Sequence, residues 1–568
     1  MGNFPFSSSS RLPQSARAVS SALGFALPLP LGSPSNISGI AAPIKPLLPG
    51  NAEIGREIYH GTFSFAGIAT SCRGAIIFDA SVDDPHWLEE LHGFAWLAHI
   101  EATGLELGRV HARALIWDWL DSNRGRHRSA RVLPVACRRL ISWIVAAPFL
   151  FQGAGDGFIA AFCSSLSRHI RDLQLRASLS RSPATRLDCA MALAFAAVSL
   201  KGMESARSTA LHLLADRLDD QILADGGHVS RNPTALASLL LDLVPLRTTC
   251  GEARIEMPNK LHATIDRMIP MLRFLMHGDD GLAIFQGASD PLNTKCAAIL
   301  GAGPVCAGPL LKAASSGFAR ISHGVSTVIC DIGIPPRKSV NPRSFLAPLA
   351  LEFSDSTCRI VVNCGTPVLQ HHLATAAGLA EAHSTLTLAT ESGEPPASLP
   401  FLQKLGLLQK SKVTVRAQTD SGQLGSIIEA WHDAYRAQFG YGISRRLFLS
   451  STGTDLRGED RFLPQHGIGP TSTRFAIRFH LHPAVEATQC NDGSIVLLLP
   501  SKARWKFSAR GAHTDLQNSI CLWGSSGPRK TMQILLTGSP DALPVNWAFK
   551  RSADPSCGEE PPALHWRF

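Results

Sequence analysis

The sequence predicts an α+β chain of more than one domain, a helical region followed by an antiparallel β-sandwich, and three observations carry that prediction. Up to about residue 315 apolar residues recur near a period of 3.6 and strand-like alternation is nearly absent. From about residue 316 β-branched residues cluster in short runs with Gly, Pro and Asp turns between them. The first 45 residues match neither pattern, being Ser/Pro-rich and basic without an acidic residue. The domain reading is therefore a disordered low-complexity leader over 1–45, a helical domain over 46–315 and a β-sandwich over 316–568.

The helical elements follow from their apolar stripes. Leu88, Leu91, Ala95 and Ala98 mark one helix, with Trp87 and Trp96 as packing aromatics. Trp117 and Trp119 sit in the next, and Arg138-Arg139-Leu140 leads into Trp143 and Ile144. Phe158, Phe162, Leu166, Ile170 and Leu173 form a clear stripe, and residues 188–200 are apolar nearly all round, which predicts a central helix. Leu211, Leu214, Leu218 and Ile222 give another helix, and Leu236, Leu239, Leu240 and Leu243 the one after it. Leu261, Ile265, Met268, Leu272 and Leu275 form the last long stripe. The strand runs fall at 325–332, 359–362, 384–388, 446–450, 474–481, 494–499, 534–536 and 545–549. Helix length and content vary too much for a solenoid repeat.

A hydrophobic share of 45% with 17% charged residues excludes a disordered chain. The net charge of +9 favours polyanionic partners, but no Lys/Arg block of the nucleic-acid-arm type occurs, so a nucleic-acid partner is not expected. Thirteen cysteines are scattered singly, with no CxxC spacing, and read as small buried apolar residues rather than a disulfide framework. No stretch reaches 18 uninterrupted apolar residues. The nearest, 141–151, is broken by Pro148, so no transmembrane segment is expected.

One stretch concentrates functional groups. Residues 225–233 (DGGHVSRNP) connect two amphipathic helices. Asp-Gly-Gly ends the first, because glycine tolerates positive φ beyond a helix C-terminus. Asn232 caps the second, with Pro233 at its first position. Between them His228, Ser230, Arg231 and Asn232 place an imidazole, a hydroxyl, a guanidinium and an amide on one tight loop, the profile of a binding or catalytic loop.

Several stretches, in order, resemble the bacterial heparinase II/III-like family of polysaccharide lyases. They are residues 87–96 (WLEELHGFAW), the Arg138-Arg139-Leu140 helix, 225–233, 277–287 (HGDDGLAIFQG), 351–365 (LEFSDSTCRIVVNCG), 382–388 (AHSTLTL), 456–461 (LRGEDR), 475–483 and 545–551 (VNWAFKR). The resemblance spans roughly 50–551 and implies an incomplete α/α toroid before the sandwich. It also implies β-elimination on a uronic-acid polysaccharide in a cleft between the two, an acidic polysaccharide or oligosaccharide as partner, and a cell-envelope or periplasmic location. The scattered cysteines and weak leader point to a cytoplasmic alternative. Such a carbon–oxygen lyase needs a group to neutralise the uronate carboxylate, a base and an acid. Arg231 and Asn232 suit the first task, and His228 and His383 suit proton transfer. Ser230 and Arg343 complete the expected substrate contacts, and the cleft is expected to be basic. His383 and Asn363 fall where some members of the family bind zinc, the one cofactor the resemblance raises.

The chain departs from that pattern in three places. Its tyrosines are Tyr59, Tyr435 and Tyr441, none in the later toroid, and Phe318 stands where many relatives have Gly-Tyr. Residues 341–345 (NPRSF) replace a His-rich segment. Asn363 replaces an Asp ligand and is a poorer donor to zinc. These departures motivate a rival reading, a non-catalytic carbohydrate-binding or envelope polysaccharide-assembly relative that kept the scaffold. A hydrolase on a similar toroid would need paired carboxylates across the cleft, and the sequence offers no obvious pair. Of the remaining polar residues, His480 and His482 read as a polar strand face, Glu352 and Asp355 as solvated, and 456–461 as an interdomain charge network.

Overall fold

The computed structural model describes residues 37–72, 76–121, 127–303, 310, 312–367, 373–390, 413–416, 423–464, 473–524, 527–540 and 544–552. The helical half is an incomplete α/α toroid. Its long helices, Leu133–Phe151, Asp156–Leu179, Pro183–Ser199, Arg207–Asp219, Pro233–Glu252 and Asn259–Phe274, follow one another and pack on their neighbours. Caps and prolines set their starts. Asp84, Ser182 and Asn232 each accept a backbone N–H of the first turn, and Pro85, Pro183 and Pro233 follow them. Helix Pro183–Ser199 is the central one: every residue from Cys189 to Leu200 is buried.

Two local expectations are corrected. Residues 37–45, assigned to the leader by composition, pack on the toroid. The Ala41 and Ala42 amides donate to Ser199 O, and Ile40 bridges Leu200. The burial of Ile37 and Ile44 outweighs their Ser/Pro-rich setting. Pro148 does not break its helix, which runs on to Phe151. Prolines also lie inside Pro233–Glu252 (Pro245) and Asn259–Phe274 (Pro270). Each withdraws one backbone donor from the helix. Helix Leu133–Phe151 is long and apolar enough to cross a bilayer, but it packs within the toroid, with 67% of its apolar window buried.

The second half is a β-sandwich of two antiparallel sheets. One runs, in hydrogen-bonded order, from Glu486–Gln489 through Ile495–Leu498, Arg504–Arg510, Val545–Arg551, Asp455–Pro464, Tyr441–Ser450 and Gly425–His432 to Val413–Arg416. The other runs from His513–Cys521 through Arg529–Gly538, Thr473–Leu481, Cys358–Val362, Leu351–Asp355, Ser326–Asp331 and Phe318–His323 to Lys312–Ala313, with Leu386–Thr390 also on Thr473–Leu481. Inward-facing residues such as Phe353, Phe479, Trp505, Trp547 and Phe549 form the core between them. The toroid core continues across the seam to Phe318, Ile329 and Phe345.

Strands 455–464 and 513–521 escaped the sequence reading because their residues are charged or polar. Asp460 is not interdomain: it pairs with buried Arg445 on the neighbouring strand and accepts Trp547 Nε1 at 2.9 Å. Glu352 and Asp355 are fully buried, not solvated. Glu352 accepts from His277 Nε2 (3.1 Å), the Ile284 amide (3.1 Å) and Asn363 Nδ2 (3.1 Å). Buried carboxylates persist when their oxygens are this fully engaged.

The cleft inside the toroid

A cleft of about 840 Å³ is lined by the helical half and does not lie at the seam between the halves. Helix Pro85–Gly93 brings His86, Glu89 and Glu90 to it, helix Leu133–Phe151 brings Arg138, helix Pro183–Ser199 brings Asp188, and helix Pro233–Glu252 brings Asp242. His228 reaches it from the predicted loop. This cleft is acidic, unlike the basic one expected between the two halves. Four carboxylates meet one arginine there, and that arginine is held by Asp242 in a bidentate pair. Burial pushes the Asp188 carboxyl up to about 6, with Arg138 opposing the shift and Asp242 adding to it. Burial also raises Glu90, against an opposing hydrogen bond from the Ala66 backbone. His86 and Glu89 lie 3.4 Å apart.

The loop at 225–233 forms much as the sequence reads. The preceding helix ends at Asp219, earlier than the apolar spacing suggests, and Ile222 instead bridges His228 in a short hairpin. Gly226 takes φ +87°, and a Cβ there would strike Arg267 O at 1.9 Å. Asn232 Oδ1 accepts the Thr234 amide at 2.9 Å, the cap role. Ser230 does not face substrate: it is buried, and its hydroxyl lies 2.6 Å from His228 Nδ1 while accepting the Asn232 amide at 3.2 Å.

His228 Nδ1 also accepts the Ser230 N–H at 3.1 Å. An imidazole that accepts through Nδ1 carries its proton on Nε2. Nε2 has no acceptor among the described residues. Burial lowers the ring to about 4, so it stays neutral at physiological pH. His228 thus presents a fixed N–H donor to the cleft.

Arg231 and His383 do not join it. Arg231, held at φ +56°, is buried and spans the seam. Its guanidinium donates to Ser316 O (2.6 Å), Gly317 O (2.8 Å), Ile334 O (3.2 Å) and the Asp331 carboxylate, and lies 4.7 Å over the Phe318 ring. Gln286 Nε2 holds the second Asp331 oxygen at 2.8 Å. The expected carboxylate-neutralising arginine is therefore spent on an internal carboxylate. His383 is fully buried, with its ring 3.8 Å from Phe345. Neither of its nitrogens makes a well-aligned hydrogen bond among the described residues, although the Ala377 backbone contributes weakly. Burial and the neighbouring His480 lower it to about 3. Arg343 is exposed, and the same segment's Asn341 donates to Ser230 O at 3.0 Å and Gln286 O at 2.8 Å.

The residues at the family's zinc position do not fit a metal. Asn363 gives its amide to Glu352 and accepts the Ser384 N–H, and His383 is sealed against Phe345. Among the described residues no group of three His, Cys, Asp or Glu side chains is placed to hold a cation. His480 is satisfied by Ser519 Oγ (2.8 Å) and Glu381 O (2.9 Å). What sequence reading missed is the acidic lining. Its one available signal was Asp188, a lone carboxylate at the head of the apolar run 189–198.

Residues 307–558 match the family profile "Heparinase II/III-like, C-terminal". FtsZ-localized protein C of Caulobacter vibrioides is 31% identical over 468 residues, 78% of this chain and 79% of that protein. A crystal structure of heparinase III superposes with a TM-score of 0.68 at 12% identity, covering 92% of this chain and 88% of the other. A mutant of the heparan sulfate lyase HepC from Pedobacter heparinus gives 0.59 at 14% identity, covering 88% and 82%. These two structures share the toroid-plus-sandwich fold. Fold, ordered motifs and the extended similarity agree: the chain belongs to the heparinase II/III-like family.

Proposed function

We propose that the chain is a saccharide-binding protein on a lyase scaffold, working with the cell-division machinery and not as an eliminating enzyme. The observation that carries this reading is His228. Its Nδ1 accepts the Ser230 N–H, so the cleft receives a neutral Nε2–H donor, which can hold a hydroxyl or carbonyl but cannot take a proton. Arg231 and His383, the other two groups an elimination would draw on, are buried away from the cleft. The carboxylates of Glu89, Glu90, Asp188 and Asp242 accept hydrogen bonds from sugar hydroxyls or an amino-sugar ammonium and repel a polyuronate. A cleft of this size accommodates a short oligosaccharide. The name of the 31%-identical relative, FtsZ-localized protein C, supports a place at the division site and, with it, the cytoplasmic alternative.

The second reading, a carbon–oxygen lyase that cleaves an acidic polysaccharide by β-elimination, is favoured by one observation: His228 lines a cleft in the toroid of a lyase-type fold. Incubation with a panel of uronic-acid polysaccharides, read by the ultraviolet absorbance of the unsaturated uronate, separates the two. Binding of neutral or amino-sugar oligosaccharides with no new absorbance is the expected result. Sustained absorbance that disappears in His228→Ala overturns it.

A further inference from the structure

Arg138 and Arg139 are neighbours on one helix, yet they serve different cavities. Arg138 lines the toroid cleft, whereas Arg139 lines a separate pocket of about 250 Å³. Arg139 is 3% exposed and forms no ion pair among the described residues. Its Nε lies 3.3 Å from His169 Nε2, and its Nη1 donates to His92 O and Ala130 O, both at 3.1 Å. Its guanidinium carbon sits 4.7 Å over the Trp119 ring. These contacts fix the guanidinium plane and leave Nη2 without an acceptor among the described residues. A buried cation in that state is unusual, because removal from water is normally offset by a counter-charge.

The pocket around it adds cations. Arg131, Arg168 and Arg176 line it with Arg139. Its one carboxylate, Asp172, is held by Arg176 at 2.8 Å. Burial lowers Arg139 to about 10, which leaves it charged at neutral pH. Burial, followed by the charges of Arg139 and Arg168, keeps His169 neutral, so its Nε2 can accept the Arg139 Nε–H.

We propose that this pocket binds a tetrahedral oxyanion, the phosphate or sulfate group of a small ester, with Arg139 Nη2 as its innermost donor. The arginines come from the turn Ser129–Arg131 and the helices Leu133–Phe151 and Asp156–Leu179, so they approach one anion from several directions, as a tetrahedral group requires. The volume has room for such a group together with part of the small molecule that carries it. The site stands apart from the toroid cleft and does not depend on what the cleft binds.

The test is calorimetric titration of the full chain with inorganic phosphate and with inorganic sulfate at constant ionic strength. Arg131→Ala/Arg168→Ala removes two exposed rim cations, and Arg139→Lys keeps the charge but removes the planar fork. One-to-one saturation by at least one ion is expected, weakened about tenfold or more in both variants, with helix content by circular dichroism unchanged. Co-sedimentation with phosphatidic-acid vesicles, lost in the rim variant, would assign the oxyanion to a lipid headgroup. Ion binding without sedimentation assigns it to a soluble ester. Absence of saturable binding, or affinity equal in wild type and both variants, overturns the proposal.

Discussion

Arg138 and Asp242 meet inside the toroid cleft in a bidentate pair, Nη1 3.0 Å from Oδ1 and Nη2 2.8 Å from Oδ2. The pair neutralises the one arginine among the described residues of the cleft and leaves Asp188 nearby as a half-buried carboxyl raised to about 6. Between the unfolded carboxylate's ordinary value and pH 6 the folded chain holds more protons than the unfolded one. Stability contributed at this position therefore falls as pH rises through that window. Asp188→Asn is expected to stabilise the protein at neutral pH by roughly 2–3 kcal/mol, with the gain vanishing near pH 4. Thermal melting of wild type and variant across pH 4–8 checks it; a constant difference would contradict it.

The pair across the seam behaves differently. Arg231→Met leaves the Asp331 carboxylate buried without its cation and is expected to cost about 3–5 kcal/mol. Arg231→Met/Asp331→Asn should recover part of that loss. Denaturant unfolding of the wild type, both single variants and the double variant measures it, and a double-variant loss equal to the sum of the two single losses would show that the two residues are not coupled.

His228 is held near 4 by burial, below its ordinary value of 6.5. The stability it contributes is complete above pH 6.5 and is lost as pH falls toward 4. Its imidazole resonances should titrate near pH 4, and any change in oligosaccharide affinity between pH 5.5 and 8 should follow Asp188, near 6, and vanish in Asp188→Asn. A ring titrating between 6 and 7 would restore an acid–base role.

His383→Leu replaces a buried ring that lacks well-aligned hydrogen bonds with an apolar side chain. Saccharide binding should be unchanged and stability altered by less than about 1.5 kcal/mol, since removing an ill-satisfied polar group offsets the imperfect fit to Phe345. Loss of binding at retained stability, measured on the same preparation, would give His383 a part in function.

The sequence made the architecture readable because its two periods differ so clearly, and Asn232-Pro233 announced a helix start that the structure contains. It did not reveal which face of the 225–233 loop each side chain takes. His228 and Arg231 are three residues apart, yet one lines the toroid cleft and the other crosses to Asp331, because Arg231 adopts a left-handed backbone. The cleft's charge was hidden for another reason. Glu90, Asp188 and Asp242 are scattered along the chain on three helices, and only closure of the toroid brings them together. Strand 455–464 was misread because Asp460 and Arg445 satisfy each other inside the sheet, where a charged run ordinarily signals solvent.

The internal prolines of three toroid helices carry a dynamic consequence. Pro148, Pro245 and Pro270 deprive the carbonyls of Ile144, Leu241 and Asp266 of their usual partners four residues on. The curved wall therefore has three built-in weak rungs. Deuterium uptake in the neighbouring turns should outpace the rest of those helices, marking where the curved wall yields first.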